Sequence, residues 1–574
     1  MFYRILLLSL LLPFGGAAQL LTRFETSNGR QTATYAETIE FYETLNRRYT
    51  TIAMEEAGPT DTRYPLHVVY YSGDGRFDVS RWKKEGKVIL LINNGIHPGE
   101  PDGIEACKML LRDAASGKIT VPENVVLAVV PVFNIGGALN RGSYSRANQQ
   151  GPEEYGFRGS AQNLDLNRDF IKMDAQETRT LVEVFHSLDP DVFIDNHVSN
   201  GADYQHIITL LATQHDKLGG KAGKYMYDVF EPALYRDMKE RGYDLVPYVN
   251  HFGNTPEKGW TEFYDYPRFS SGLAAMFQTM AFVPETHMLK PFRQRVEATY
   301  ELMRSFIKVA SRNARQVKEA RQTDREALLL QRSFPLDWKL NEGQARLVQF
   351  MGYEAAYKKS AVSGHDRLYY DRSKPYTRQV KFYNSYSGAQ YVTAPQAYIV
   401  PQGWGNVITR LRLNGVKMRR LNADETRTVW TYRIEKFETV PGPYEGHYYH
   451  RNVQVKKKKQ KVRLQAGDYI IDVNQPAKRY LVETLEPNGP DAFFAWNFFD
   501  AILQQKEYFS DYVFEDEAAE LLKNDAALRK RLEQKRKSDP DFTRSASAQL
   551  DFVYKNSPYY ESAHMRYPVY RVEL

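Results

Sequence analysis

An imidazole and a carboxylate stand three residues apart in Asn93-Asn94-Gly95-Ile96-His97-Pro98-Gly99-Glu100. Nitrogen and carboxylate oxygen are donors that commonly hold a divalent zinc ion, and a third ligand from elsewhere would leave one coordination position open for water. Alone, a His-x-x-Glu pair is weak, because most such pairs are ordinary surface residues. Its value depends on what other chemistry the fold brings to it.

The surrounding elements can be read from periodicity. Tyr35 to Tyr49 has helical spacing, with Ile39, Tyr42, Leu45 and Tyr49 on one face. Leu66 to Tyr71 and Val88 to Ile92 read as strands, the latter running straight into the His97 loop. A helix is expected from about Asp102 to Ala115, then a strand from Val125 to Phe133. The polar segment from Leu139 to Asp174 is too long for an ordinary connection and therefore reads as functional. Asp174-Ala175-Gln176-Glu177 predicts a capping box opening a helix with Leu181, Val184, Phe185 and Leu188. Val192 to Asp195 is a strand ending at Asn196-His197, and the apolar run Leu273 to Val283 leads into Glu285. A helix through Val296, Tyr300, Met303 and Phe306 closes the unit near residue 315.

This alternation predicts an α/β domain with a mostly parallel, mixed sheet and helices on both faces. Sites in such folds lie beyond the carboxyl ends of strands. Three apolar runs end at His97/Glu100, His197 and Glu285, so the predicted sheet gathers them on one edge.

Four ordered motifs carry a resemblance: His97-Pro98-Gly99-Glu100, Asp165-Leu166-Asn167-Arg168-Asp169-Phe170, Asp195-Asn196-His197, and Glu285 after an apolar run. Across residues 31 to 315 the chain resembles the zinc carboxypeptidase family of metallopeptidases. The resemblance implies one zinc per chain, held by His97, Glu100 and His197. It implies Glu285 as general base, Asn167 and Arg168 as the clamp for a terminal carboxylate, and Asp165 as the group orienting a ligand histidine. Arg146 resembles the arginine that stabilises the oxyanion, with Arg141 and Arg158 in the same loop. A mobile tyrosine is implied at Tyr264 or Tyr266, of which Tyr266 is taken. The specificity position is implied near Phe269 to Gly272, where Arg268 suggests acidic side chains. The function implied is hydrolysis of C-terminal peptide bonds in a peptide substrate with a free carboxylate. Two alternatives are an amidase or deacylase acting on acyl-amino acids or cell-wall peptides, and a catalytically silent ligand-binding protein. The presence of Glu285 beside all three ligands counts against the silent reading.

The remainder bounds the context. At 574 residues the chain is too long for one ordinary core. Arg4, the apolar run Ile5 to Phe14 and the small residues Gly15 to Ala18 predict a signal peptide over residues 1–18, hence an exported, periplasmic or extracellular protein. No later stretch is apolar and long enough for a transmembrane segment. The single cysteine, Cys107, lies on an apolar helical face and reads as a buried thiol. Nothing resembles a nucleic-acid module, and no Walker loop or Gly-x-Ser-x-Gly elbow is present. The expected layout is a catalytic domain over 19–315, a mainly-β region over 316–505 and a charged helical tail over 506–574. Lys456 to Lys459, with Lys461 and Arg463, reads as a solvated hairpin tip. Glu515 to Lys537 reads as one charged helix.

Overall fold

The computed structural model describes residues 20–251 and 255–573; the expected signal peptide lies outside them. The central sheet contains β1 (Ile52–Gly58), β2 (Leu66–Ser72), β3 (Val88–Asn93), β4 (Val125–Val130), β5 (Val192–Asp195), β6 (His197–Ser199), β7 (Ile208–Ala212) and β8 (Val246–Pro247). After the two-residue strand β9 (Trp260–Thr261), β10 (Met280–His287) completes it. The order is β1-β2-β4-β3-β5-β10-β7-β8, with β6 pairing beside β10. The middle strands β4, β3, β5 and β10 are parallel, while β1/β2, β2/β4 and β7/β10 are antiparallel. This is the expected mixed, mostly parallel sheet.

Side chains alternate across a strand, so a strand covered on both faces needs apolar residues at every position. β3 shows this. Val88, Leu90 and Ile92 join a core with Leu110, Leu111, Leu302 and Phe306 from the helices Asp102–Ala115 and Phe292–Leu330. Ile89 and Leu91 face the other way, into a core with Leu181 and Phe185 of the helix Gln176–Leu188. Cys107 is buried in the first core, and burial pushes its thiol up to about 12, as expected of a structural cysteine.

The second core also takes in Tyr398, Tyr432, Ile471, Tyr480 and Trp496, so the C-terminal region shares a hydrophobic cluster with the sheet. That region holds a six-stranded antiparallel sheet into which the chain's last strand, Tyr570–Val572, is inserted. Beyond it lies a small helical unit around Phe514, Leu528, Leu532 and Tyr554. No helix among the described residues is long and apolar enough to cross a membrane.

Several local expectations change. The helix expected to close near residue 315 runs unbroken from Phe292 to Leu330, through the expected domain boundary. Asp174 does not cap the helix Gln176–Leu188; its carboxylate instead meets Lys172, Arg410 and His447. The lysine run is no hairpin tip but lies inside one continuous strand, His450–Leu464, paired with Glu425–Thr439. Lys457 and Lys459 lie over Trp430 at 4.7 and 5.8 Å. Lysine suits that sheet edge, where charge discourages pairing with another chain. The charged helix is broken at Asp525, whose side chain caps Ala526–Ser538.

Candidate metal and catalytic centre

The site forms where β3 and the β5–β6 segment end. Asn93 Nδ2 donates to Asp195 Oδ1 (3.0 Å) and Asn196 Nδ2 donates to Asn94 Oδ1 (2.9 Å), tying the two strand ends together. β6 then pairs in parallel with β10, placing His197 opposite Glu285. One tied strand edge thus carries both histidines, Glu100 and Glu285.

His97, Glu100 and His197 are all buried, and their donor atoms lie within 4.8 Å of one another. His97 Nδ1 is 3.2 Å from Glu100 Oε1, and His197 Nδ1 is 3.1 Å from Glu100 Oε2. The His97 and His197 rings sit 4.9 Å apart. His97 Nε2 is 2.9 Å from Asp165 Oδ1, which fixes the ring and leaves Nδ1 buried without a hydrogen-bond partner. A buried, unpaired imidazole nitrogen facing a carboxylate and a second imidazole fits a divalent metal ion. Against the upward push of burial, His97 and Arg146 hold the Glu100 carboxyl well below its usual range. Asp165 is likewise held down against burial, chiefly by His97, then by Arg158 and Arg168.

A cavity of about 310 Å³ opens over these groups. His97, Glu100 and His197 share its wall with Glu285, Asn167 and Arg168. Asn167 and Arg168 sit on a short turn, Leu166–Arg168, whose start Asp165 caps by accepting from Asn167 N (2.9 Å). Arg168 stacks on Phe269 at 4.6 Å. Burial, with like-charge repulsion from Glu100, pushes Glu285 up to about 8.

Other expected residues lie elsewhere. Arg146 does not line the cavity: its Nη2 donates to Glu100 Oε1 (2.9 Å) and its Nη1 to Gln149 (3.1 Å). Gly99 makes room for it, since a Cβ there would clash with Arg146 Nε. The loop arginine in the wall is Arg158, 2.9 Å from Asp165 Oδ2 and 3.6 Å from Glu100 Oε1. Arg141 is committed to the backbone carbonyls of Thr32 and Ala33. Tyr264 and Tyr266 also lie off the cavity. Tyr264 packs against Tyr386, and the Tyr266 hydroxyl is 3.5 Å from Asp337. The tyrosine in the wall is Tyr248, directly after β8, with its phenol pushed well up by burial and by Glu285. No spacing rule marks Tyr248 among 40 tyrosines; what places it is the parallel pairing of a two-residue strand with β7. Arg268, expected to bear on specificity, is ion-paired with Asp491 at 2.9 Å and packed on Tyr449 and Trp496, and it does not line the cavity.

No family model matches the sequence. Carboxypeptidase 2 of Trichophyton equinum is 22% identical over 444 residues, covering 71% of this chain and 73% of that protein. Carboxypeptidase 2 of Trichophyton rubrum is 21% identical over 508 residues, covering 81% of this chain and 84% of that protein. Among solved structures, a metallo-carboxypeptidase from Burkholderia cenocepacia aligns over 49% of this chain and 69% of its own, with 13% identity and a TM-score of 0.36. Carboxypeptidase A from Helicoverpa armigera gives 13% identity and a TM-score of 0.36 over 49% and 73% of the two chains. The chain is thus similar over most of its length to proteins named as carboxypeptidases, and its ordered motifs meet at one strand edge around a His-Glu-His cluster that could hold a metal ion.

Proposed function

We propose that this protein is an exported zinc metallocarboxypeptidase that removes the last residue from peptides with a free terminal carboxylate. The observation that carries this reading is one cavity containing a metal-ready His-Glu-His cluster, a raised carboxyl and an Asn-Arg pair. His97, Glu100 and His197 would hold the ion; when bound, zinc supplies Lewis acidity to water and to a carbonyl oxygen.

The chain's own residues do the rest. Arg168, with Asn167, holds the substrate carboxylate, for which a guanidinium fork is suited. Glu285 takes a proton from the attacking water as its oxygen bonds to the carbonyl carbon. It returns that proton to the amine nitrogen as the C–N bond breaks. Arg158 meets the negative charge that develops on the carbonyl oxygen. Leu211, Phe263, Phe269 and Val283 give the cavity apolar walls, and Ser270 and Ser271 add only hydroxyls. The site therefore prefers neutral, apolar terminal residues over charged ones. Export rests on the basic, apolar, small-residue order of residues 4–18, and N-terminal sequencing of the mature protein tests it.

An N-acyl amino acid also presents a free carboxylate, so substrates decide between peptidase and deacylase. A panel of peptides and N-acyl amino acids, read by product mass, should show single-residue trimming of the peptides. Cleavage of the acyl-amino acids alone would assign a deacylase, and no cleavage by zinc-loaded protein would leave a binding protein.

A further inference from the structure

The hairpin Glu425–Thr439/His450–Leu464 belongs to the C-terminal region, yet its connecting loop reaches the metal site. At the tip, Tyr444 and His447 exchange backbone hydrogen bonds of 2.7 and 3.1 Å, closing a tight turn over Glu445-Gly446. Both central residues have positive φ, 50° for Glu445 and 81° for Gly446. Asn-Gly is the favoured pair for such a turn, because asparagine tolerates the left-handed conformation and larger side chains adopt it at a cost. Glutamate is therefore a poor local choice.

Its side chain shows what it does there. Glu445 Oε2 accepts a hydrogen bond from the Asp165 backbone N–H at 2.7 Å. Asp165 is the residue through which the site is assembled: its carboxylate holds His97 and Arg158, and it caps the turn bearing Asn167 and Arg168. On the same loop, His447 Nε2 is 2.7 Å from Asp174, at the far end of the segment that carries Arg168. Strained backbone that persists with a specific polar contact points to function.

We propose that Glu445 is a positioning residue for the carboxylate-binding turn, supplied to the catalytic domain by the C-terminal region. The proposal rests on the carboxypeptidase reading for its kinetic consequence, but the contact itself is separately measurable. In Glu445→Asn the turn conformation is favoured and the side chain, one methylene shorter, no longer reaches Asp165. The full-length Glu445→Asn variant should melt at or above the wild-type temperature and bind the same amount of zinc. Its amide exchange across residues 160–170 should be faster, and its KM for a peptide should rise by about tenfold. Glu445→Gln keeps length and an acceptor oxygen and should restore most of the loss. If Glu445 served the turn alone, Glu445→Asn would raise the melting temperature and leave KM and exchange across residues 160–170 unchanged. Wild-type KM and exchange in Glu445→Asn would overturn the proposal. If the wild-type protein trims no peptide, the proposed activity fails, and the exchange measurement still decides whether Glu445 holds Asp165.

Discussion

At the residue scale the two acids of the site do opposite work. Glu100 is kept ionised by its neighbours, whereas Glu285 is raised to about 8 by burial and nearby negative charge. The metal-free protein should report this in its stability. Glu285 holds a proton in the folded state that the unfolded chain releases, its ordinary value being 4.5. Its contribution is therefore full below about pH 4.5 and is lost as pH rises to about 8. Glu285→Gln, which cannot ionise, should make the metal-free protein more stable than wild type at pH 8, with the difference vanishing near pH 4.5. Thermal melts across pH check this. The same variant, loaded with zinc, should keep its metal and lose roughly 10²–10⁴-fold in kcat, as loss of a general base does. The two arginines should separate by the same logic. Arg158→Ala should lower kcat by roughly 10²–10³-fold. Arg146→Ala should weaken zinc binding by about 10–100-fold while leaving kcat at saturating zinc nearly unchanged, because the Arg146 guanidinium donates to Glu100 and Gln149 and does not line the cavity. The proposed ligands and base were legible in the sequence because each follows an apolar run. The choice among Arg141, Arg146 and Arg158 was not, since a long irregular loop leaves no period from which to read direction.

At the element scale the site depends on the ends of β3, β5 and β10 staying level: the two Asn-mediated ties join β3 to the β5–β6 segment, and β10 is held by its pairing with β5 and β6. β3 is buried at all its positions and lies between two cores. Leu91→Ala should therefore cost about 2–5 kcal/mol in denaturant unfolding, with the cluster of ligands disturbed only as far as the strand shifts. The strands β2, β3, β4, β5 and β10 and the helices Asp102–Ala115 and Gln176–Leu188 were readable from apolar runs and periodicity, whereas β1, β7 and β8 were not picked out. Two further elements were misread. The helix Phe292–Leu330 outlasts the change to charged sequence near residue 315, because Val317, Ala320, Arg321 and Leu328 remain buried along it. The lysine strand looked like a loop because Lys456 to Lys459 are four successive exposed charges, and only its partner Glu425–Thr439 reveals that it continues.

At the scale of the whole molecule, the C-terminal region is built into the catalytic unit. It shares a hydrophobic cluster with the central sheet, and Asp491 holds Arg268 by both side chain and backbone: Nε–Oδ1 is 2.9 Å, and the Arg268 N–H donates to Oδ2 at 2.8 Å. Arg268 directly precedes Phe269, Ser270 and Ser271 of the cavity wall. Asp491→Ala leaves that guanidinium without its carboxylate in a largely buried place and should cost about 3–5 kcal/mol of stability by chemical denaturation. Such long-range pairings have no sequence period, so the role of the last 240 or so residues could not be read in advance. The central claim, that a terminal carboxylate is gripped beside a hydrolytic metal site, is tested most directly by one comparison. The zinc-loaded protein is incubated with a peptide ending in a neutral apolar residue, as the free acid and as the C-terminal amide, and the products are weighed by mass spectrometry. Loss of one residue from the acid with the amide intact is the expected result; equal trimming of both, or cleavage within the peptide, would contradict the account.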